Sequence, residues 1–232
     1  MRKFELELDS LKSRLLEMGE VAERMVARAS EALVQRDRKI VADVLAAEET
    51  LDRFQVEIDG EAVRLITVYT PTAKDLRFLL MVVRINTELE RIGDQAVSIA
   101  LRARSLISQP LLKPLIDIPR MTAIVQEMVR YSLDAFVGRD PELARNVIDR
   151  DDEVDGLRDQ IFRELLTYMM GDPTTIPRAI DLILVSRNLE RVADHATNIA
   201  EDVIYIVRGE DVRERGDKEL RKGLRLPLPN NA

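Results

Sequence analysis

The chain has 232 residues, of which 46% are hydrophobic, 33% are charged and only 4% are aromatic. It contains no cysteine and carries a formal net charge of −7, which excludes disulfides and thiolate metal sites and disfavours nucleic acid as a partner. This composition is typical of a helical protein that is long enough to bury one large core or two smaller ones.

Three long helices are predicted in the first half. Apolar residues recur every three or four positions over residues 4–36 and make one face of a first helix. Asp37 is the expected N-cap of a second helix that reaches residue 69. The dipeptide Thr70-Pro71 is expected to cap and open a third helix that runs to residue 108.

The second half repeats this plan after a linker at residues 109–119, whose three prolines exclude a continuous helix. Three further helices are predicted from the positions of glycine, aspartate and proline, at residues 120–137, from Asp140-Pro141 to Gly171, and from Asp172-Pro173 to Arg208 with Gly209 as the stop.

The expected fold is therefore all-α, with six helices in two tandem antiparallel three-helix bundles related by an internal repeat. We expect the first repeat at residues 1–110, the second at 111–215 and a disordered tail at 216–232. The repeat is visible in two twelve-residue segments that share seven identical positions, LERIGDQAVSIA at 89–100 and LERVADHATNIA at 189–200.

Both copies of the repeated segment carry two acids one helical turn apart, at the edge of the apolar stripe. The preceding helix of each half carries a second acidic pair with the same spacing. If the helices are antiparallel, four carboxylates converge in each half. These are Glu48, Asp52, Glu90 and Asp94 in the first half, and Asp151, Asp155, Glu190 and Asp194 in the second.

Such a cluster needs compensation, because two carboxylates about 6 Å apart repel by roughly 3 kcal/mol at an effective dielectric constant of 20. A multivalent cation with a preference for oxygen ligands would supply it, and magnesium, manganese, calcium, iron and zinc all qualify. The alternative is that the acids are ordinary solvated surface residues, paired locally with Arg91 and Arg191.

Two further residues of the last helix bear on this site. His195, the only histidine, is expected on the polar, solvated side of its helix, with metal ligation as the alternative. Glu201 lies two turns beyond Asp194 and could add a ligand in the second half alone, because the first half has Leu101 at that position.

The segments LERIGDQA and LERVADHATNIAEDVIYIVRG, together with the opening LDSLKSRLLEMGEVAERMVARASEAL, resemble the PhoU family of phosphate-uptake regulatory proteins. The resemblance implies two tandem three-helix bundles and E(D)xxxD motifs that bind multinuclear clusters of iron, zinc or other divalent ions. The matching positions are the eight acids named above. One departure is that residues 95–98 read QAVS where residues 195–198 read HATN, so the two sites are not identical.

The same resemblance implies a cytoplasmic, often dimeric protein that restrains the phosphate-specific ABC transporter. It also implies that the protein helps a sensor histidine kinase to repress the phosphate-starvation response, and that it meets the membrane only through these partners. A cytoplasmic location is also expected because the longest apolar run, FLLMVV at 78–83, is too short to span a bilayer and no signal peptide is recognisable.

Two other function classes stay open at this stage. A metal-dependent hydrolase or a di-iron oxidase could use the same acids, although the oxidase is disfavoured because the single histidine lies outside any Glu-x-x-His motif. The second open class is a structural helical module whose acids are solvated and bind no metal. We expect a regulator that acts by binding and is not an enzyme.

Overall fold

The computed structural model describes residues 2–209, so the tail expected at 216–232 lies outside the described residues. Within this range the chain forms seven α-helices and one short 3₁₀ helix at Pro173–Thr175. The α-helices are α1 (Arg2–Gln35), α2 (Arg38–Tyr69), α3 (Ala73–Ile107), α4 (Asp117–Gly138), α5 (Pro141–Asp149), α6 (Asp151–Gly171) and α7 (Ile176–Arg208).

The predicted fold class is confirmed. Helices α1, α2 and α3 pack against one another as the first bundle, and α4, the α5–α6 pair and α7 form the second. The apolar stripes predicted from the repeat are fully buried in both bundles, with Leu89, Ile92 and Ile99 in the first and Leu189 and Ile199 in the second.

Several helix ends follow from local chemistry as predicted. Asp37 accepts a hydrogen bond from the Lys39 amide and caps α2. Asp140 accepts from two amides of the first turn of α5, with Pro141 following at the first helical position. Gly209 ends α7 with a φ of 71°, a left-handed conformation that costs glycine little.

The predicted start of the third helix is wrong. Thr70 closes α2 in a left-handed conformation with φ 43°, and α3 begins only at Ala73, after Thr72 at the N-cap position. The Thr72 hydroxyl donates to Asp75 across the first turn. Pro71 therefore lies in the connection between two helices and not inside the third.

The linker is also shorter than predicted, because α4 starts at Asp117 and includes Pro119 in its first turn. A proline is tolerated there, since the first amides of a helix have no partner within the helix.

The predicted fifth helix is interrupted at Arg150. The Arg150 side chain is held by α4, where it donates to Glu127 at 2.6 Å and lies over the ring of Tyr131. The acids Asp151, Asp152 and Glu153 then form the first turn of α6, a position that suits negative charge.

The two bundles meet mainly along α3 and α7, which run antiparallel. Arg84 pairs with the buried Asp202 at 3.0 Å, and Arg102 pairs with Asp181 at 3.2 Å near the other end of the contact. The repeated segments 89–100 and 189–200 lie between these two ion pairs. The cluster-bearing helices of the two repeats are therefore in direct contact.

None of the helices within residues 2–209 is both long and apolar enough to cross a membrane.

Candidate metal centres

In the first repeat, the structure brings the four predicted acids of α2 and α3 together across the helix pair. Burial raises the pKa of Glu48, and the charges of Asp52 and Asp94 raise it further. Burial likewise raises the pKa of Glu90, as do the charges of Asp94 and Asp52. The carboxylates of α2 and α3 therefore lie close enough to raise one another's pKa, as expected for antiparallel helices.

This first cluster lies at the edge of the core and opens to solvent. Glu48 and Glu90 are half-buried, whereas Asp52 and Asp94 are exposed. Burial and the charge of Asp52 raise the pKa of Asp94, while Arg91 and His195 act in the opposite direction. The negative charge of the cluster is thus only partly balanced by neighbouring cations.

A glycine allows α2 and α3 to approach at this level. A Cβ atom at Gly93 would lie 2.1 Å from Cδ2 of Leu51, so any larger residue would displace that side chain. The second repeat has Ala193 and Val154 at the corresponding positions. Relative to the first repeat, the second has one more side-chain carbon on α7 and one fewer on α6 at these positions.

In the second repeat, the four acids of α6 and α7 are brought together in the same way. Burial raises the pKa of Asp151 to about 6, and the charges of Asp194 and Asp155 add to this effect. Burial and the charge of Glu190 raise the pKa of Asp194. All eight predicted residues therefore lie in two four-carboxylate clusters, one in each repeat.

The second cluster contains an arginine that the sequence prediction missed. Nη1 of Arg158 donates to Oε1 of Glu190 at 2.5 Å and lies 3.2 Å from Oδ1 of Asp155. The first repeat has Gln55 at the corresponding position, one turn beyond Asp52. Alignment of the two acidic motifs reveals that Arg158 replaces Gln55. The contact of Arg158 with Glu190 and Asp155 depends on its side-chain conformation, which the sequence does not predict.

His195 is not solvated, so the preferred prediction for this residue is wrong. Its side chain is 14% exposed, and Nδ1 lies 2.7 Å from Oε2 of Glu88 on α3. Asn198 donates to the same carboxylate oxygen at 3.2 Å. Burial raises the pKa of Glu88, but the hydrogen bonds from His195 and Asn198 outweigh it and the pKa is lowered.

The error has a physical cause. The polar side of α7 packs against α3 of the other repeat, and a helical wheel for one bundle does not include that neighbour. The residue of α7 equivalent to Glu88 is Asn188, and the residue of α3 equivalent to His195 is Gln95. Glu201 is half-buried on α7, and its role as an added ligand stays a prediction.

The donor set suits a hard cation, since the clusters consist of carboxylate oxygens whose mutual repulsion a cation would relieve. Within residues 2–209, however, no three acidic or histidine side chains are arranged closely enough around one point to bind a single ion. The two clusters are established as groups of neighbouring acids, and their role as metal ligands stays a prediction.

The sequence model of the PhoU domain matches the chain twice, over residues 15–103 and 118–203. The chain belongs to the PhoU family. The first match runs from the middle of α1 into the last turns of α3, the second from the start of α4 into the last turns of α7, and together they contain all eight acids of the clusters.

Curated relatives support the assignment along nearly the whole chain. A phosphate-specific transport system accessory protein PhoU homolog from Aquifex aeolicus is 40% identical over 213 residues, which is 92% of this chain and 96% of that protein. A homolog of the same name from Caulobacter vibrioides is 42% identical over 213 residues, with 91% and 93% covered.

Solved PhoU structures have the same fold. The crystal structure of PhoU from Pseudomonas aeruginosa superposes with a TM-score of 0.86 at 38% identity, covering 89% of this chain and 100% of that one. The phosphate transport system regulatory protein PhoU from Streptococcus pneumoniae superposes with a TM-score of 0.82 at 25% identity, covering 90% and 99%.

Proposed function

We propose that this chain is a non-enzymatic, metal-binding regulator of phosphate homeostasis. The observation that carries the proposal is the recurrence of a four-carboxylate cluster at equivalent positions of both repeats, in a chain that belongs to the PhoU family. The names of the relatives, which describe accessory proteins of phosphate-specific transport, support the assignment to phosphate transport.

In this proposal each cluster holds a multinuclear metal centre of iron, zinc, manganese or magnesium. Glu48, Asp52, Glu90 and Asp94 hold the first centre, and Asp151, Asp155, Glu190 and Asp194 hold the second. Cations held by these residues would neutralise the repulsion between the carboxylates of each helix pair. They would thereby stabilise the surface that the protein presents to its partners, without activating a substrate.

The proposed partners are the ATPase of the phosphate-specific ABC transporter, which the protein restrains, and a sensor histidine kinase, which it helps to repress the phosphate-starvation response. We propose that the protein acts in the cytoplasm as a homodimer and reaches the membrane only through these two partners. The net charge of −7 argues against a nucleic-acid partner.

A pull-down from phosphate-replete cells tests the proposed partners. The affinity-tagged full chain should retain the transporter ATPase and the sensor kinase, and recovery should fall in the variant E90Q/D94N. The matched control is E5Q/D9N, which removes two exposed acids with the same spacing on α1. Absence of both partners from the wild-type sample would contradict the regulatory role. Equal recovery with E90Q/D94N would show that partner binding does not require the first cluster.

A further inference from the structure

A partly enclosed cavity of about 310 Å³ lies away from both acid clusters, where the first turns of α3 meet the last turns of α4 and α7. Its floor is apolar and belongs to the core, since Met81, Phe136 and Val203 are each 3% exposed or less. Phe78 completes the apolar lining and stacks on Phe136 with 5.4 Å between ring centroids. The volume is at the lower end of the roughly 300–1,000 Å³ range of small-molecule sites.

Three cations surround the mouth of this cavity. Lys74 and Arg77 extend from the first turns of α3, and Arg139 follows the last residue of α4. The lining contains no acid among the described residues, and none of the three side chains forms an ion pair or a side-chain hydrogen bond within residues 2–209. Three cations without such a partner among the described residues are unexpected at one opening, since the chain carries a net charge of −7.

The two repeats differ in what the arginine after their first helix contacts. Arg139 has a φ of 51°, and its counterpart Arg36 has a φ of 57° at the end of α1. The Arg36 guanidinium donates to the carbonyl oxygens of Ile107, the last residue of α3, and of Gln109 in the following connection. Arg139 occupies the corresponding place next to Val207 at the end of α7 and lines the cavity instead.

We propose that this cavity binds a small amphiphilic anion, a free carboxylate with an alkyl chain of medium length. The apolar floor takes the chain, because burial of hydrocarbon is favourable, and the three cations take the carboxylate at the mouth. Core residues close the cavity on its inner side. A small molecule can fill such a cavity, whereas the flat surface of a macromolecule cannot enter it. The proposal does not depend on metal binding by the acid clusters.

Calorimetric titration of the full chain with octanoate in the presence of EDTA tests the proposal. Octanoate should bind with a stoichiometry near one, 1-octanol should bind about tenfold more weakly, and acetate should not bind measurably. The variant K74Q/R77Q should lose about tenfold in octanoate affinity with its octanol affinity unchanged. The control K39Q/R163Q, which removes two exposed cations of α2 and α6, should behave as wild type.

The position of the ligand is tested by NMR of methyl-labelled methionines, with the Met81 signal assigned through M81L. Octanoate should shift the Met81 signal and leave the exposed Met170 unchanged. The proposal is overturned by absence of saturable octanoate binding, by equal affinity for octanol, or by shifts at Met170 in place of Met81. Sedimentation with phosphatidylglycerol vesicles that requires Lys74 and Arg77 would identify a membrane surface as the partner and would also overturn it.

Discussion

At the residue scale, the two clusters contain the same acids but differ in their neighbouring cations. Arg158 lies between Glu190 and Asp155, whereas the first cluster has Gln55 at that position. An internal guanidinium neutralises part of the charge that would otherwise attract a metal ion. The second centre should consequently bind divalent ions more weakly than the first.

The substitution R158Q should therefore strengthen metal binding at the second cluster. We expect the dissociation constant for Mn²⁺ to fall about tenfold, because the ion no longer competes with the guanidinium for Glu190. The measurement is calorimetric titration in the E90Q/D94N background, which leaves only the second cluster active. The reciprocal substitution Q55R should weaken binding at the first cluster, and unchanged constants in both variants would contradict this account.

The titration of Asp151 should be visible in stability. Its folded pKa of about 6 lies above the ordinary value of 3.8, so the folded chain holds this proton more tightly than the unfolded chain does. The stability that this group contributes is complete below about pH 4 and is lost as the pH rises through about 6. Metal-free wild-type protein should thus lose stability relative to D151N between pH 4 and pH 7.

The expected difference is about 1–2 kcal/mol, because solvent screens the partly exposed carboxylate. Urea unfolding in EDTA at several pH values measures it. The control is D149N, which removes a nearby exposed acid at the end of α5. A D151N stability difference that does not change over this pH range would contradict the assigned environment of Asp151.

At the element scale, the spacing of α2 and α3 depends on the contact between Gly93 and Leu51. The substitution G93A adds a Cβ atom where only 2.1 Å is available to the Leu51 side chain. The expected overpacking cost of about 1–3 kcal/mol exceeds the gain of roughly 0.5–1 kcal/mol in helix propensity. G93A should therefore destabilise the protein on balance.

The second repeat supplies the compensating change, since it combines Ala193 with Val154. The double variant L51V/G93A should accordingly be more stable than the sum of the two single variants predicts. A double-mutant cycle from urea unfolding measures this coupling. Strict additivity of the two changes would show that these residues do not determine the helix spacing.

Sequence alone predicted most of the elements, because apolar periodicity and capping residues act locally. Asp37 and Asp140 begin helices, and Gly209 ends one, where expected. The break at Arg150 was not predicted, since apolar periodicity does not report the contacts of its side chain with Glu127 and Tyr131 of another helix. Short connections make consecutive helices antiparallel. The sequence could therefore assign the eight acids to two groups.

At the scale of the whole molecule, the sequence could not predict how the two bundles meet. The environment of His195 was predicted wrongly for this reason, because Glu88 reaches it from the other repeat. Ion pairs at Arg84–Asp202 and Arg102–Asp181 likewise join the repeats. The hydrophobic core is continuous across the two bundles.

This continuity predicts that both repeats unfold together. Calorimetry of metal-free protein should give a single transition whose calorimetric and van't Hoff enthalpies agree, because neither bundle keeps its α3–α7 contact when the other is unfolded. Two resolved transitions, or a van't Hoff enthalpy near half of the calorimetric value, would contradict a cooperative contact between the repeats.

Anomalous diffraction from crystals grown with Mn²⁺ will decide whether each cluster of four carboxylates binds cations. We expect anomalous peaks between α2 and α3 at Glu48, Asp52, Glu90 and Asp94, and between α6 and α7 at the second cluster, with the second peak lower because of Arg158. Absence of any peak at both clusters in Mn²⁺-saturated crystals would contradict this expectation.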